Sequence, residues 1–414
     1  FAAEYDTPYG VPPFDKIQER DYVPGIEAGI REWMGEIDAI VKSEQEPSFE
    51  NVIVALDRSG AYMNRVLNVL FNVIESDGNE NLQNIVAEVM PKMTGAQDSV
   101  YMNTALFEKV KAVYDKRESL GLGAEQSMLL KKTYETFIRG GVALEADKKA
   151  RVSEINGEMA LLSQQFANNI LAQNNAFRDK FGISVSEYYE TMGKESDRAL
   201  RQQIFEAYST RCNHNDQYDN KDIIMRIMEL KIEKTNILGY AAPADYILED
   251  KMAGTSEAVD TFLAEIMKAA VARSREEIAE IQAVMDRDIA AGILPEGSVV
   301  EPWDYLYYQS RIKAEKYNFS EDEVRPYFQM ENVRAGVFLT ASKLYGLNFE
   351  KIDNVPVYNP EVETFKVTDA DGSLIGIFYT DYYPRASKRG GAWMTNFVNQ
   401  WTSSDGVNHR PVIV

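Results

Sequence analysis

The sequence predicts a mainly α-helical protein with a small β-sheet that begins near residue 362. Through most of the first 350 residues, apolar side chains recur at the three-and-four spacing of a helix that buries one face. After Leu347 this spacing stops, prolines interrupt the chain, and apolar residues alternate with polar ones as in a half-buried strand. The turn signal Asp369–Gly372 separates two such stretches.

Three helical stretches are the clearest. Asn79–Met93 has one apolar face, and Glu80 lies in its first turn, where a negative charge suits the helix dipole. Ala150–Leu171 repeats the pattern, and Thr255 is the predicted N-cap of a third helix of about thirty residues. We expect each apolar stripe to face a core. In the third helix the stripe comprises Val259, Phe262, Leu263, Ile266, Met267, Ala270 and Val271, continued by Ile278, Ile281, Val284 and Met285.

The helical pattern stops at Phe177, and Arg178–Gly182 has no clear period. Two interpretations are open: a loop, or a junction at which residues of the natural protein are missing from this sequence. Either one predicts that the helix ends near Phe177.

The C-terminal strands follow the change of pattern. Phe365 and Val367 alternate with polar residues, and Leu374–Tyr383 is rich in the β-branched and aromatic residues of strands. A further strand is predicted over Ala392–Val398, and Pro411–Val414 resembles the opening of another. An unpaired apolar strand is a liability, so we expect the natural protein to continue past Val414.

The length and composition of the chain limit its number of domains and its classes of function. The chain has 414 residues, which predicts two or three domains. Its net charge of −21 argues against nucleic acid or anionic lipid as a general partner. No run has the length of a membrane span, and a single cysteine, Cys212, excludes an internal disulfide. The chain begins with Phe1 rather than Met, which would fit a removed signal peptide.

Most candidate catalytic motifs are weak. His214 and His409 are the two histidines, and neither lies in an H-E-x-x-H pattern, so no zinc site is predicted within the chain. Cys212 and His214 lack an orienting third group, which favours a structural cysteine beside a polar loop. Three other patterns resemble known motifs but are better explained as turns or chance: Gly121–Gly123 (dinucleotide loop), Asp369–Gly372 (calcium loop) and Ser310–Lys313 (S-x-x-K).

One basic, glycine-containing stretch has two interpretations. Arg385, Lys388 and Arg389 precede Gly390 and Gly391 in an otherwise acidic protein. The stretch is either a solvated loop or a strand edge that a peptide backbone can approach, since glycine leaves room for that approach.

The same stretch resembles the region that precedes the zinc motif in the thimet-oligopeptidase-like (M3) metallopeptidases, and it is most similar to their bacterial peptidyl-dipeptidase group. The similarity runs in order through nearly the whole chain. It is found at Tyr9–Ile17, Pro47–Leu56, Asp219–Lys221, Glu233–Lys234, Leu238–Tyr240, Leu248–Ala253, Glu301–Asp304, Tyr307–Tyr308, Arg325–Phe328, Leu344–Gly346, Asp369–Ser373, Gly376–Tyr379, Asp381, Pro384–Arg385 and Lys388–Met394.

The resemblance implies the helical N-terminal portion of a clam-like, zincin-like peptidase. In this family a zinc ion, held by an H-E-x-x-H helix and a further glutamate, hydrolyses short peptides that enter a deep channel. Those ligands lie C-terminal to the matched region. The resemblance therefore implies zinc in the intact protein, no catalytic residue or metal ligand in these 414 residues, and no activity of this portion alone. The family has some tens of residues more between Phe177 and Ser186, which favours the missing-residue interpretation there.

The family also suggests regions, partners and a location. The predicted regions are an N-terminal helical region (1–177), a second helical region forming the channel wall (178–354), and the first strands of the catalytic domain (355–414). By analogy, Gly390, Gly391, Ala392 and Trp393 form a strand that binds the substrate backbone. The expected partners are short peptides and the protein's own C-terminal catalytic portion, in a cytoplasmic monomer that releases C-terminal dipeptides; an exported, periplasmic form is the alternative location.

A second function class stays open. The chain could be a catalytically dead helical protein that binds peptides without hydrolysing them, because it has no zinc ligands of its own. Peptide binding without hydrolysis would favour this alternative.

Overall fold

The computed structural model describes residues 1–318, 321–403 and 405–414. Its helices and strands divide into two compact units. Unit 1 comprises Phe1–Gln165, Ile237–Gly239 and Phe338–Val414; unit 2 comprises Phe166–Asn236 and Tyr240–Val337. The predicted regions 1–177, 178–354 and 355–414 stay a prediction about domain organisation.

Helices make up most of the described chain, which confirms the predicted fold class. In chain order they are α1 (Tyr22–Lys42), α2 (Ala55–Arg58), which continues a π-helical turn at Phe49–Val54, α3 (Ala61–Asp77), α4 (Glu80–Tyr101), α5 (Thr104–Asp115), α6 (Ala124–Gly140), α7 (Ala146–Phe181), α8 (Tyr188–Lys194), α9 (Arg198–Ser209), α10 (Lys221–Ile237), α11 (Pro243–Leu248), α12 (Ser256–Ala290), α13 (Tyr305–Tyr317), α14 (Glu321–Val324) and α15 (Met330–Tyr345). Among the described helices, we find none with the length and apolar character needed to cross a membrane.

The predicted helix starts are confirmed by their caps. The Asn79 side chain accepts a hydrogen bond of 2.9 Å from the Leu82 N–H at the start of α4. Thr255 caps α12 in the same way, through the Ala258 N–H at 3.1 Å. Each cap satisfies a backbone donor that the first helical turn leaves without an intrahelical partner.

The predicted break at Phe177 is wrong. Helix α7 continues through Arg178–Phe181 and ends before Gly182, which has a φ of +71°. The sequence shows no clear apolar period there because the stretch has only two large apolar residues, Phe177 and Phe181, which lie one helical turn apart with ring centres separated by 5.2 Å.

Among the described residues of unit 1, a β-sheet has five strands in the order β1-β2-β3-β7-β4. They are β1 (Asn348–Ile352), β2 (Glu363–Thr368), β3 (Leu374–Thr380), β4 (Asn396–Val398) and β7 (Val412–Ile413); a separate pair consists of β5 (Trp401–Thr402) and β6 (Asn408–His409). Strand β3 pairs with β7 in parallel, and the other neighbours in the five-stranded sheet are antiparallel. The turn Asp369–Gly372 joins β2 to β3, as predicted.

Three details of the sheet differ from the prediction. The sheet begins at Asn348 rather than near residue 362, because β1 carries charged, exposed residues and little apolar alternation. Strand β4 begins at Asn396 rather than at Ala392. Strand β7 is paired on both sides, by β3 and β4, so the premise of an unpaired strand at Pro411–Val414 is wrong.

The core of unit 1 joins the first helices to this sheet. Apolar residues of α1, α3 and α4 pack in one cluster with Ile377, Tyr379, Phe397 and Val412 of the strands. Gly29 permits the close approach of α1 to α3, since a Cβ at this position would lie 2.7 Å from the Met63 Cα.

The described residues of unit 2 form two smaller cores. One is built on Phe177, Tyr188, Met192 and Ile204. The other contains Ile281, Val284, Met285 and Tyr308. The C-terminal end of α12 therefore faces a core as predicted, whereas the first part of its stripe does not: Phe262, Leu263, Ile266 and Met267 are all about half exposed. That expectation is wrong because the period identifies an apolar face but not what covers it.

Candidate peptide-binding segment

The residues predicted to bind substrate lie between β3 and β4 in unit 1. We call Gly390–Trp393 the glycine segment. The segment is irregular rather than a strand, because Gly391 has a φ of +108°, a conformation that L-residues rarely adopt. Regular pairing starts two residues later, where Thr395 and Val414 exchange backbone hydrogen bonds of 2.8 and 3.0 Å.

A buried carboxylate holds the chain that leads into the glycine segment. Both oxygens of Asp381 accept hydrogen bonds from Arg385, at 2.8 and 2.6 Å, and the Tyr358 hydroxyl donates a third of 2.8 Å. Lys388 Nζ lies 3.1 Å from the same carboxylate. Burial alone would raise the pKa of Asp381, but the hydrogen bonds from Arg385, Tyr358 and Lys388, together with the Lys388 charge, hold this pKa below its ordinary value.

The solvated-loop interpretation therefore fails for two of the three cations. The Arg385 and Lys388 side chains are only 13% and 11% exposed, and both pair with Asp381, which is 5% exposed. They neutralise a buried charge and fix the path of the chain, so they do not form a general cationic surface.

The same stretch caps the C-terminal end of α3. The Arg389 N–H donates 2.8 Å to the Glu75 carbonyl, and its guanidinium pairs with the Glu75 carboxylate at 2.7 Å. The Gly78 N–H donates to the Ser387 carbonyl at 3.1 Å, and the Ser387 hydroxyl donates to Asp77 at 2.9 Å. Cations at this end of a helix also interact favourably with its dipole.

These anchors leave the glycine segment accessible. Gly390, Gly391 and Ala392 are exposed, and the Arg389 guanidinium lies 4.7 Å from the centre of the half-buried Trp393 ring. Within the part of the chain that the structure describes, the backbone N–H and C=O groups of Gly390–Met394 make no hydrogen bond. Backbone groups of this kind, next to the edge strand of a sheet, can pair with an extended peptide.

The rest of that edge is covered by α3. Asn72 Nδ2 donates to the Asn396 carbonyl at 2.8 Å and to its own helix at the Asn68 carbonyl at 2.7 Å. Asn72 is buried, which fixes it against β4. Strand β4 is therefore partly closed by α3, and the open stretch is the glycine segment before it.

The other sequence candidates are placed elsewhere. Cys212 is buried, and this burial raises the pKa of its thiol, which disfavours the thiolate that catalysis needs. His214 is exposed and lines a cavity of about 360 Å³ in unit 2 with Lys180 and Glu206. In unit 1, His409 stacks on Trp401 with ring centres 4.0 Å apart.

The described residues do not fit a zinc site. Across the described residues we find no group of three His, Cys, Asp or Glu side chains placed to hold a metal ion. Of the carboxylates that anchor the glycine segment, Asp381 pairs with Arg385 and Lys388, and Glu75 pairs with Arg389.

Residues 191–414 match the model of peptidase family M3. The chain belongs to this family. The dipeptidyl carboxypeptidases of Escherichia coli (strain K12) and Salmonella typhimurium (strain LT2) are 33% and 32% identical to it, over 97% and 98% of this chain and 63% of each relative. Oligopeptidase A of S. typhimurium is 25% identical, over 98% of this chain and 64% of the relative.

The family match confirms the resemblance found in the sequence. The chain spans somewhat less than two thirds of the length of these M3 relatives. The anchoring roles of Asp381, Asp77 and Glu75 are absent from the sequence prediction. The spacing of Asp381 and Arg385 is a weak sign of their ion pair, whereas Glu75 and Asp77 lie more than 300 positions away from their partners.

Proposed function

We propose that this chain is the N-terminal portion of a zinc-dependent M3 peptidase that releases dipeptides from the C-terminus of short peptides, and that the 414 residues alone do not hydrolyse peptides. The dipeptidyl carboxypeptidase relatives support the reaction. The lack of a fitting metal group among the described residues supports the placement of the zinc ligands outside this sequence. A cytoplasmic location and a monomeric state stay predictions, with export as the alternative.

We assign peptide binding to the glycine segment. The observation that supports this role is the set of backbone groups at Gly390–Met394 that have no hydrogen-bond partner among the described residues. A peptide in extended conformation would pair with them, and its side chains would point alternately toward and away from the protein. Main-chain pairing recognises peptides without requiring one sequence, which suits an enzyme for diverse short peptides.

The first test compares this chain with the longest polypeptide that its gene encodes. We expect the 414-residue chain to contain no stoichiometric zinc and to leave a fluorogenic peptide with a free C-terminus intact. The longer polypeptide should contain about one zinc ion per chain, as a single catalytic site requires, and release dipeptides. Intact mass, metal analysis and mass spectrometry of the products measure these outcomes. Hydrolysis by the 414-residue chain with no zinc bound would contradict the proposal.

The second test probes the backbone pairing. In a β pair, the N–H groups of alternate residues point toward the partner strand. We therefore expect N-methylation of a bound peptide at every second position to weaken its affinity for the 414-residue chain about tenfold, the effect of losing one or two hydrogen bonds. Methylation at the intervening positions is the matched control and should change affinity less than about twofold. An even loss at all positions, measured by fluorescence anisotropy, would contradict pairing with the glycine segment.

The lack of a fitting metal group also supports the second candidate, a peptide-binding protein without catalysis. Peptide binding by the longest polypeptide, with neither zinc nor hydrolysis, would select this candidate over the first.

A further inference from the structure

Helix α12 contains a long stretch, just after its first turn, that the described part of the chain leaves uncovered. Residues 260–276 are all exposed, which corresponds to almost five turns. Isolated helices of this length are marginal in water, and most helical stability comes from packing of an apolar face. A face that should stabilise this helix by packing is therefore open in the 414-residue chain.

That face is a continuous apolar stripe. Phe262 is 62% exposed, Leu263 and Ile266 are each 48% exposed, and Met267 is 53% exposed. Val271 and Ile278 extend the stripe toward the buried end of the helix at Ile281. Monomeric proteins rarely expose a contiguous stripe of large side chains, and one of this kind marks an interaction surface.

The exposed apolar residues are concentrated in the part of the chain that matches the M3 family. Among the large apolar side chains that are exposed in the described residues, Tyr9, Met128, Ile138, Leu161 and Tyr189 precede residue 191, and all the others follow it. Besides α12, they include Ile224, Met225, Met228 and Ile232 of α10. Most of the exposed apolar surface thus lies in the part of the chain that matches the M3 family. We therefore expect the segment that buries this surface to belong to the same family region.

We propose that the α12 stripe is the docking surface for the C-terminal remainder of the same polypeptide. This inference rests on the proposed function. More than a third of the length of the dipeptidyl carboxypeptidase relatives has no counterpart in this chain. The remainder would present an apolar face to Phe262, Leu263, Ile266 and Met267 and bury them. Docking of this remainder to unit 2 would then stabilise α12 and hold the remainder against the 414-residue portion.

The test uses a pair of charged substitutions in both the 414-residue chain and the full-length polypeptide. Phe262→Glu/Ile266→Glu places two carboxylates in the stripe, and Thr261→Glu/Ala272→Glu places two on the opposite face of the same helix as a matched control. All four positions are exposed in the 414-residue chain, so neither pair should change its Tm by more than about 2 °C. In the full-length polypeptide the stripe pair should lower the Tm by about 5 °C or more, and the control pair should not.

Amide hydrogen exchange gives a second readout that needs no variant. Exchange of the amides in residues 260–276 should be at least about 100-fold slower in the full-length polypeptide than in the 414-residue chain. Should the stripe pair prevent folding of the full-length protein, Phe262→Ala/Ile266→Ala serves as a milder version, for which faster exchange in α12 is expected.

Three outcomes would overturn the inference. The first is equal exchange of α12 in the two polypeptides. The second is equal effects of the stripe and control pairs in the full-length protein. The third is a dimer of the 414-residue chain, seen by sedimentation, that the stripe pair dissociates, since the occupant would then be a second copy. Zinc content and dipeptide release are measured on the same full-length sample, so failure of the proposed function is recognised separately from failure of the docking surface.

Discussion

Replacing Asp304 with asparagine is expected to destabilise unit 2 by about 3–5 kcal/mol, the usual cost of removing one partner from a buried ion pair. The Asp304 side chain is fully buried, and its oxygens accept hydrogen bonds from Arg198 at 2.7 Å and from Arg201 at 2.8 Å. Arg201 is itself buried, so the substitution leaves an uncompensated cation inside the unit. Thermal unfolding, with amide exchange in α9 and α13 to localise the effect, measures the loss.

A surface pair in the same unit provides the control. Arg287 and Glu315 lie 2.9 Å apart, but both are about half exposed. Glu315→Gln should therefore cost less than about 1 kcal/mol. Equal losses for Asp304→Asn and Glu315→Gln would show that Asp304 does not have the structural role that its burial indicates.

The Asp304 contribution also has a defined pH dependence. Burial alone would raise the pKa of Asp304, but hydrogen bonds from Arg198, Arg201 and the Glu301 N–H, with the Arg198 charge, hold it below its ordinary value. A lowered folded-state pKa gives stability that is present above the unfolded pKa of about 4 and is lost as the pH falls through the folded pKa. The stability difference between the natural chain and Asp304→Asn should therefore shrink below about pH 4.

Local features of the fold could be predicted from the sequence because their causes are local. Asn79 and Thr255 cap their helices through backbone donors three residues away, and Asp369–Gly372 closes a turn within its own length. The family could be predicted for a different reason, since many short matches in a fixed order are more specific than any one of them.

The errors arise where the outcome depends on distant parts of the chain. The period of α12 correctly identified an apolar face, but burial depends on a partner that no local pattern describes. The sequence pattern does not reveal strand β1, because its charged residues lie on an exposed edge of the sheet. Its strand conformation depends on pairing with β2, which local spacing does not show. The glycine segment is irregular because Gly391 has a positive φ, a conformation that glycine permits but does not require.

The side-chain contacts that anchor the glycine segment could not be predicted from the sequence either. Asp381 reaches Tyr358, and Ser387 reaches Asp77 more than 300 residues earlier in the chain. Such contacts follow from the packing of the sheet on α3, which residue spacing does not reveal. The cations Arg385 and Lys388 could be read from the sequence, but their burial against one carboxylate could not.

Asp381→Asn is expected to have the largest effect in unit 1, because it removes the nearest countercharge of Arg385 and Lys388, which are both mostly buried. We expect a loss of stability of about 3 kcal/mol and peptide affinity reduced about tenfold, since the path of the glycine segment depends on these anchors. Glu361→Gln is the control: Glu361 is half exposed and lies 3.4 Å from Arg385, so its replacement should cost less than about 1 kcal/mol and leave peptide affinity unchanged.

The two readouts together decide what the glycine segment does. A buried ion pair that serves only the fold would lower stability when broken, yet leave the affinity of the remaining folded molecules intact. Peptide affinity is therefore measured well below the unfolding temperature of Asp381→Asn, with the folded fraction determined in the same sample. A loss of affinity among folded molecules links the anchors to peptide binding, because residues that contact Asp381 and α3 fix the chain that leads into the exposed backbone at Gly390–Met394. Lower stability with unchanged affinity would instead assign Asp381 to the fold alone and place peptide binding elsewhere.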